Sequence, residues 1–353
     1  MSENVYKQLA KHLDNLPIPF PETASGVEIR ILKRWFSQEE AEIALAMKGF
    51  PEPTETIAKR LERDPDALQP ILEDMSRKGI IFRMNRGDER FYNIVPLAEG
   101  MWEFHISTND IETIKDLREY FDLFMETGWY GTPTTQHRII PISQSLSPDQ
   151  EIMSYDQAEA IIKAQTKISV AQCICRKEEK MLGQGCDHPM ETCLAFGFGA
   201  NFYIDNGLGR EISQDEALKI LHMAMDSGLV LQPGNGQNAW SLCMCCGCCC
   251  GLLKALKKMD KPATVAHTSF YAQIRSEDCT ACGLCEERCP MDAITVFGDT
   301  AMVNKDRCIG CGVCVGACSF DAVKLYQKDE QNRYVPPVDI MEMQMKISKE
   351  RGL

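Results

Sequence analysis

The sequence predicts a mostly α-helical protein with smaller α+β pieces, organised as several domains along 353 residues. Three observations support this fold class. Capping residues and short helical segments fill the first hundred residues and end in a hairpin pattern. A middle segment crowded with cysteines is flanked by further helix signals. Two evenly spaced cysteine runs near the C-terminus indicate a compact α+β domain built around metal ligands.

The first 30 residues form a predicted arm with a short helix near Val5–Leu13, and residues 31–105 form a compact helical unit. Capping residues and glycines mark where the helices of this unit begin and end. The three predicted helices run from Ser37 to Gly49, over Glu55–Leu61, and from Asp64 to Gly79. Pro70 is expected to kink the third helix or to delay its start.

Two strand-like segments follow, Ile80–Arg83 and Arg90–Val95, joined by an Asn-Arg-Gly-Asp turn. Three helices and then a hairpin are the element order of a winged helix-turn-helix domain, which binds either DNA or protein. Residues 27–105 carry 12 Lys/Arg and 15 Asp/Glu, whereas a helix that faces phosphates is expected to be basic. We therefore expect a winged-helix-like domain that contacts protein, with no nucleic-acid partner. A redox-sensing regulator is the alternative.

A helical linker region is predicted over residues 106–165. Its helical pattern is centred on Ile111–Phe124. Ser154 and Gln157 indicate a second capping box, which opens a helix that reaches about Thr166.

A cysteine-rich domain is predicted over residues 166–262, and its helix signals indicate that it is helical. Ser213 caps one of these helices, which is expected to end at Gly228. Ten cysteines fall in this domain, in two groups. The first group is Cys173, Cys175, Cys186 and Cys193, and the second is Cys243, Cys245, Cys246, Cys248, Cys249 and Cys250.

Thiolates at this density select soft metals, namely iron–sulfur clusters, zinc or copper(I). The first group alone can supply the four ligands of a third [4Fe–4S] cluster, and the second group could hold another or complete the first. A zinc site is the main alternative. Surplus thiols within Cys243–Cys250 suggest another alternative, an oxidoreductase subunit with thiol–disulfide or open-cluster chemistry.

The C-terminal domain, residues 263–330, contains the spacing C-x2-C-x2-C-x3-C twice, and residues 331–353 form a tail. Pro290 directly follows the first run, as is usual for this cysteine pattern, whereas Ser319 follows the second run. The runs consist of Cys279, Cys282, Cys285 and Cys289, and of Cys308, Cys311, Cys314 and Cys318. This doubled spacing is the ligand pattern of a two-cluster bacterial ferredoxin, an α+β fold that holds two [4Fe–4S] clusters. Neither a zinc ribbon nor a disulfide framework explains it.

In that pattern, the fourth cysteine of each run binds the cluster of the other run. We therefore expect Cys318 to complete the cluster of Cys279, Cys282 and Cys285. Likewise, Cys289 is expected to complete the cluster of Cys308, Cys311 and Cys314. Glycines inside the runs let the backbone approach the cluster closely.

The composition constrains the partners and the compartment. A net charge of −13 suits docking to basic faces of redox partner proteins. The sequence has no apolar stretch long enough for a membrane span and no secretory or twin-arginine signal at its start, so we expect a cytoplasmic protein. Free thiols and exposed clusters favour an anaerobic cytoplasm. No flavin, nucleotide or nucleophile motif is seen, and the oligomeric state is left open.

The whole chain resembles a family of multi-cluster iron–sulfur proteins of anaerobic bacteria. The resemblance is carried by residues 26–34, Cys173-Ile174-Cys175-Arg176, Gly207-Leu208-Gly209-Arg210 and residues 243–251. It implies bound clusters but no particular reaction. Together with the cysteine spacing it indicates an electron carrier or an electron-transfer subunit rather than a stand-alone enzyme.

Overall fold

The computed structural model describes residues 2–146 and 152–353 of the chain. The chain forms two compact units. Unit 1 comprises Met1–Thr134, Phe198–Arg210 and Gln344–Leu353, and unit 2 comprises Thr135–Gly197 and Glu211–Met343. Every cysteine therefore belongs to unit 2. The segments predicted as separate cysteine-rich and C-terminal domains lie together in this unit.

Short helices and strands alternate along the chain. The α-helices are α1 (Ser2–Asp14), α2 (Val27–Trp35), α3 (Gln38–Leu45), α4 (Thr54–Leu61), α5 (Pro65–Lys78), α6 (Trp102–Phe104), α7 (Ile111–Leu123), α8 (Ala158–Lys163), α9 (Ile174–Met181), α10 (Gly197–Asp205), α11 (Gln214–Asp226), α12 (Gly251–Lys258), α13 (Leu284–Arg288), α14 (Val313–Gly316) and α15 (Ile340–Arg351). The strands are β1 (Glu52–Pro53), β2 (Ile81–Arg86), β3 (Glu89–Ile94), β4 (Ile168–Gln172), β5 (Glu191–Phe196), β6 (Arg210–Glu211), β7 (Val230–Pro233), β8 (Ser241–Cys245), β9 (Phe270–Ile274), β10 (Ile294–Phe297), β11 (Thr300–Val303) and β12 (Val323–Gln327).

Unit 1 contains helices α3, α4 and α5 and the β2–β3 hairpin in the predicted order, with β1 paired to β3. The capping box at the start of α3 is present, since Ser37 and Glu40 exchange side-chain and backbone hydrogen bonds. Helix α5 begins at Pro65, so Pro70 lies inside it and does not delay its start. It ends at Gly79 in the left-handed conformation, where a side chain would collide with Phe104. The description of this region as a winged helix stays a prediction.

Unit 2 contains four adjacent antiparallel strands in the order β4-β5-β8-β7. The prediction of a helical cysteine-rich domain is therefore wrong: helices α9, α11 and α12 are present, but a sheet holds the region together. The reason is visible in β5, whose burial alternates strictly from residue to residue, as in a strand with one buried face. Capping signals at the helices gave no indication of this alternation.

The C-terminal cysteine runs lie in an α+β segment of unit 2. Strand β9 pairs antiparallel with β12, and β10 pairs with β11. The two short helices α13 and α14 each follow a left-handed glycine, Gly283 with φ 79° and Gly312 with φ 75°. The two halves of the segment therefore repeat one local structure, as the doubled spacing predicts.

Two smaller predictions need correction. Ser154 opens a 3₁₀ turn that ends at Asp156, and α8 begins afterwards at Ala158 without a side-chain cap. The second capping box is therefore wrong. The tail contains helix α15. The part of the predicted linker at residues 147–151 lies outside the described residues.

Candidate metal centres

All 18 cysteines are described, and all are free thiols. They fall into four groups of neighbours. Two groups line cavities in the α+β segment, and two lie at the cysteine-rich sheet.

Cavity A lies inside the α+β segment. Its four thiols are those of Cys289, Cys308, Cys311 and Cys314. Three of them come from the second run, and the fourth, Cys289, comes from the first. Apolar side chains such as Ile294 and Ile309 complete the wall.

Cavity B has the complementary set of ligands. Its thiols are those of Cys279, Cys282, Cys285 and Cys318. Each cavity therefore takes its fourth thiol from the other run, because the chain crosses between them after α13 and again after α14.

The walls of both cavities fit a cluster of iron and sulfide. Backbone N–H groups of Ala293 and Ala272 donate to the sulfurs of Cys289 (3.3 Å) and Cys308 (3.4 Å) in cavity A. In cavity B, the N–H of Ala301 donates to Cys279 Sγ at 3.4 Å. Such donors stabilise negative charge on sulfur and tune cluster potentials.

The two cavities differ in exposure. In cavity A, Cys311 and Cys314 are buried, and burial raises the pKa of Cys311 to about 12. In cavity B, Cys282 is exposed. The N–H groups of Ala281 and Ala301 lower the pKa of Cys279. Among the eight thiols of the two cavities, Cys282 of cavity B is therefore the exposed one.

A compact group of four thiols lies between the loop that precedes β5 and the loop that follows β8. This thiol quartet consists of Cys186, Cys246, Cys248 and Cys249, whose sulfurs all lie within 4.8 Å of one another. Three of its sulfur–sulfur distances are 3.9 Å (Cys186–Cys246), 3.5 Å (Cys186–Cys249) and 3.9 Å (Cys248–Cys249). A single tetrahedral ion with metal–sulfur bonds of about 2.3 Å places its ligand sulfurs roughly 3.8 Å apart.

The other six thiols of the region form a closed loop in which each interacts with the next. This thiol ring runs through Cys173, Cys175, Cys250, Cys245, Cys243 and Cys193, and returns to Cys173. Cys193 and Cys243 are directly opposite each other on β5 and β8, with their sulfurs 3.8 Å apart. The strongest thiol–thiol interactions of the ring and of the quartet stay within each group.

Arg176 joins the ring to the quartet. It is fully buried and donates hydrogen bonds to Pro189 O (2.6 Å), Thr192 Oγ1 (2.5 Å) and Met244 O (2.6 Å). Burial opposes its charge, but the thiolates of Cys173, Cys246 and Cys245 outweigh that effect and raise the pKa of Arg176. A buried cation needs anions nearby, and the thiols of Cys175 and Cys193 together with Arg176 hold the pKa of Cys173 below its usual range.

The structure divides the first sequence group. Cys186 joins the quartet, whereas Cys173, Cys175 and Cys193 join the ring. The ten predicted ligands of the region therefore form two groups, of four and six. The sequence contained one signal for this division of the thiols. Cys243 and Cys245 are two residues apart, so their side chains share one face of a strand, whereas the side chain of Cys246 does not lie on that face. Arg176, in the Cys-Ile-Cys-Arg segment, was not recognised as a functional residue.

One comparison with known proteins gives a match. The 4Fe-4S dicluster domain family matches residues 278–322, the segment that forms both cavities. This match supports binding of [4Fe–4S] clusters and an iron–sulfur electron-transfer role. No curated protein and no solved structure is similar enough to the chain to be matched. Across residues 2–146 and 152–353, no helix is long and apolar enough to cross a membrane.

Proposed function

We propose that the protein is an intracellular electron-transfer protein that holds two [4Fe–4S] clusters with crossed ligation, one in each cavity. The observation that carries this proposal is the lining of the cavities, because each combines three thiols of one run with the fourth thiol of the other. Bound clusters of this kind supply one-electron redox chemistry.

The residues around the cavities suit that role. Four thiols per cavity are enough to cap every iron of a [4Fe–4S] cluster, which leaves no open position for a substrate. Two of the cavity A thiols, Cys311 and Cys314, are buried. Gly310 follows Ile309 in the wall of cavity A, and a side chain there would collide with Phe270 O and Thr268 Oγ1. The backbone can approach the cavity closely only because this residue is glycine.

Cavity B faces the side from which a redox partner protein could approach. Exposed Cys282, Leu284 and Phe320 line it. Acidic residues lie close by along the chain, Glu286 and Glu287 in α13 and Asp278 and Asp321 outside the helices α13 and α14. An apolar centre with an acidic rim fits transient docking to a basic partner.

The thiol quartet is a third metal centre in this proposal. Its sulfur–sulfur distances of 3.5–3.9 Å are those of one tetrahedral ion rather than of four thiols around an open cavity. We therefore assign it a single ion, zinc or iron, in place of the third [4Fe–4S] cluster predicted on Cys173, Cys175, Cys186 and Cys193.

Two alternative functions, a thiol–disulfide oxidoreductase and a DNA-binding regulator, can be distinguished from electron transfer by experiment. Thiol–disulfide chemistry would require reactive thiols, and Cys248, the exposed member of the quartet, is the most accessible one in Cys243–Cys250. A DNA-binding regulator would require free basic groups on the hairpin. Arg83 instead donates to the buried Glu73 carboxylate at 2.6 Å, and Arg90 pairs with the same carboxylate. Of the three arginines of the hairpin, this leaves the exposed Arg86 as the one outside that ion-pair group.

The experiment is anaerobic purification of the full chain, followed by iron and sulfide analysis and redox titration. Reduced protein should be re-oxidised by an accepting redox protein or an artificial dye, with two one-electron centres visible by electron paramagnetic resonance. Steady turnover of a small disulfide would favour the enzyme instead, if a Cys248→Ala variant abolished it. Salt-sensitive binding of duplex DNA would favour the regulator.

A further inference from the structure

We propose that the ion of the thiol quartet is redox-active iron, which exchanges single electrons with the cluster in cavity A. This inference rests on the proposed function, in which cavity A holds a cluster and the quartet holds one ion. It adds the identity of that ion and its redox neighbour. Three features of unit 2 support it: the spacing of the four thiols, the protein contacts that hold their loops, and the contact between these loops and cavity A.

The spacing of the quartet fits one ion with a closed set of ligands. All four sulfurs lie within 4.8 Å of one another, and three of the sulfur–sulfur distances are 3.9, 3.5 and 3.9 Å. Four thiolates at tetrahedral positions are a ligand set of zinc or of iron. Such a set leaves no open position for a substrate, so the ion has either a structural role or an electron-transfer role.

Protein contacts already hold the two loops of the quartet in place. Cys246 directly follows β8, which pairs with both β5 and β7. The fully buried Arg176 bridges the two loops, since it donates to Pro189 O and to Met244 O, at 2.6 Å each. Pro189 lies three residues after Cys186. Structural ions are typical of small domains that cannot fold without them, so these contacts favour the electron-transfer role.

The quartet also touches the wall of cavity A. Gly247 lies between Cys246 and Cys248, and a Cβ atom placed on it would lie 3.0 Å from Pro290 Cβ and 3.3 Å from Pro290 Cα. Pro290 lines cavity A and directly follows the ligand Cys289. Because consecutive Cα atoms are about 3.8 Å apart, the Cα atoms of Cys246 and Cys289 are separated by at most about 13 Å. The two metal centres are therefore neighbours.

Helix α12 fixes this contact, because it begins two residues beyond the quartet and ends beside cavity A. Arg307 directly precedes the cavity A ligand Cys308. It donates to the carbonyl oxygens of Lys257 and Met259, both at 2.9 Å. The Lys257 ammonium also pairs with the carboxylate of Asp292 at 2.8 Å. These links keep the separation of the two centres constant, as electron exchange requires.

The exchange moves one electron and nothing else. The electron passes from the reduced cluster of cavity A to ferric iron at the quartet, so the iron becomes ferrous and the cluster is oxidised. No covalent bond forms or breaks, and no proton moves. A one-electron redox partner protein supplies the electron. Exposed thiols lie at two places along this path, Cys282 in cavity B and Cys248 in the quartet, where partners can approach.

The test is metal analysis and electron paramagnetic resonance of the full chain after anaerobic reconstitution with iron and sulfide. A [4Fe–4S] cluster contains equal iron and sulfide, so iron at the quartet should raise the iron content above the sulfide content by about one per chain. The ferric signal of this iron should disappear reversibly on reduction, in a one-electron step. In the fully reduced protein, the quartet iron should accelerate the spin relaxation of the cavity A cluster more than that of the cavity B cluster.

The variant Cys248→Ala should lose about one iron per chain without loss of sulfide, because it removes one of the four ligands. It should also lose the ferric signal and the accelerated relaxation, while it keeps the signals of both clusters. The matched control is the unaltered chain with zinc at the quartet, since zinc keeps the tetrahedral site but has no redox chemistry. It should show the slow relaxation of the variant. If Cys248→Ala does not fold, Cys186→Ala on the other loop gives the same comparison.

Zinc at the quartet after reconstitution with iron would overturn the proposal, as would iron whose ferric signal does not respond to reduction. Equal relaxation of the two clusters would show that the quartet is not the neighbour of cavity A, and the exchange would be wrong. Absence of both cluster signals would instead contradict the proposed function. The excess of iron over sulfide and its loss in Cys248→Ala would still decide the identity of the quartet ion.

Discussion

The α+β segment and the cysteine-rich sheet both concentrate thiols, but they stabilise negative sulfur in different ways. Around cavities A and B, backbone N–H groups donate to the thiols of Cys279, Cys289 and Cys308. At the sheet, one buried guanidinium, that of Arg176, lies near thiols of both the ring and the quartet. The backbone N–H donors are part of the loops that carry the cysteines, so a side-chain substitution does not remove them. The Arg176 guanidinium is a side chain, so one substitution removes it.

The two regions also differ in how the chain gathers its ligands. In the α+β segment, each run wraps a short loop around one cavity and sends its last cysteine to the other. At the sheet, strand pairing joins cysteines 50 positions apart, such as Cys193 and Cys243. We therefore expect the α+β segment to tolerate changes in the sheet, while the sheet depends on its own tertiary packing.

The largest expected effect concerns crossed ligation. Cys289→Ala should destroy the cluster held by Cys308, Cys311 and Cys314, because Cys289 lines cavity A. Cys318→Ala should destroy the other cluster for the same reason. Each variant should lose about 4 irons and one of the two signals in electron paramagnetic resonance.

Each of these two variants serves as the control for the other, since each removes the last cysteine of a run. Loss of the signal of the variant's own run would contradict crossed ligation. The signals can be assigned independently with Cys282→Ala, which affects cavity B alone.

The second prediction tests the buried cation. Arg176→Met should destabilise unit 2 by about 3 kcal/mol or more, because it leaves buried thiolates without their positive partner. Arg176→Lys should recover part of that loss, since it keeps the charge but not the three hydrogen bonds. Thermal and denaturant unfolding of the anaerobic protein measure the effect, and the metal content of the sheet should fall with it.

The matched control is Arg307→Met in the α+β segment. Arg307 also donates three hydrogen bonds, in its case to the backbone carbonyls of Met291, Met259 and Lys257. Arg307→Met should lower the free energy of unfolding by less than Arg176→Met does, because it removes hydrogen bonds but no charge compensation. Equal losses of stability for the two variants would show that Arg176 acts only through its hydrogen bonds.

The sequence predicted the α+β segment in more detail than the sheet. Its ligands lie within short loops, so their spacing along the chain already describes the geometry of each loop, and the match at residues 278–322 supports that interpretation. In unit 1, the capping residues Ser37 and Asp64 marked the starts of α3 and α5, since capping is a local interaction.

The sheet could not be predicted in this way, because its ligand groups depend on register. Cys186 lies seven residues before Cys193, yet they belong to different groups. Only the pairing of β5 with β8 brings Cys193 to Cys243. Nor could spacing reveal Arg176 as the shared cation, since its role depends on the thiols around it. The capping signal at Ser154 was local and still wrong, because Ser154 lies in a 3₁₀ turn that ends before α8 begins.

The third prediction tests where the two regions touch within unit 2. Gly247 lies between the quartet members Cys246 and Cys248, and a Cβ atom added there would lie 3.0 Å from Pro290 Cβ. Pro290 lines cavity A next to Cys289. Gly247→Val should therefore displace Pro290 and shift the reduction potential of the cavity A cluster, while the cavity B cluster keeps its potential. Gly247→Ala should give a smaller shift of the same sign.

Redox titration of both clusters in each variant measures this effect, with cavity B as the internal control. Equal shifts in both cavities would indicate a general loosening of unit 2 rather than a local contact. An unchanged reduction potential of the cavity A cluster would show that the loop containing Gly247 moves away from Pro290 instead.

The smallest expected effect compares the thiols of the two cavities in the metal-free folded protein. Burial raises the pKa of Cys311 to about 12, so at pH 8 roughly one molecule in ten thousand carries its thiolate. The N–H groups of Ala281 and Ala301 lower the pKa of Cys279, so its thiolate fraction at the same pH exceeds that of an ordinary cysteine. Alkylation with iodoacetamide should therefore label Cys279 early and Cys311 late, and the rate at Cys311 should rise with pH up to about 12.

Peptide mapping by mass spectrometry measures both rates, and the denatured protein, in which the two thiols should react alike, is the control. If Cys311 reacted as fast as Cys279 in the folded protein, burial would not protect Cys311, and the contrast between the two thiols would be wrong.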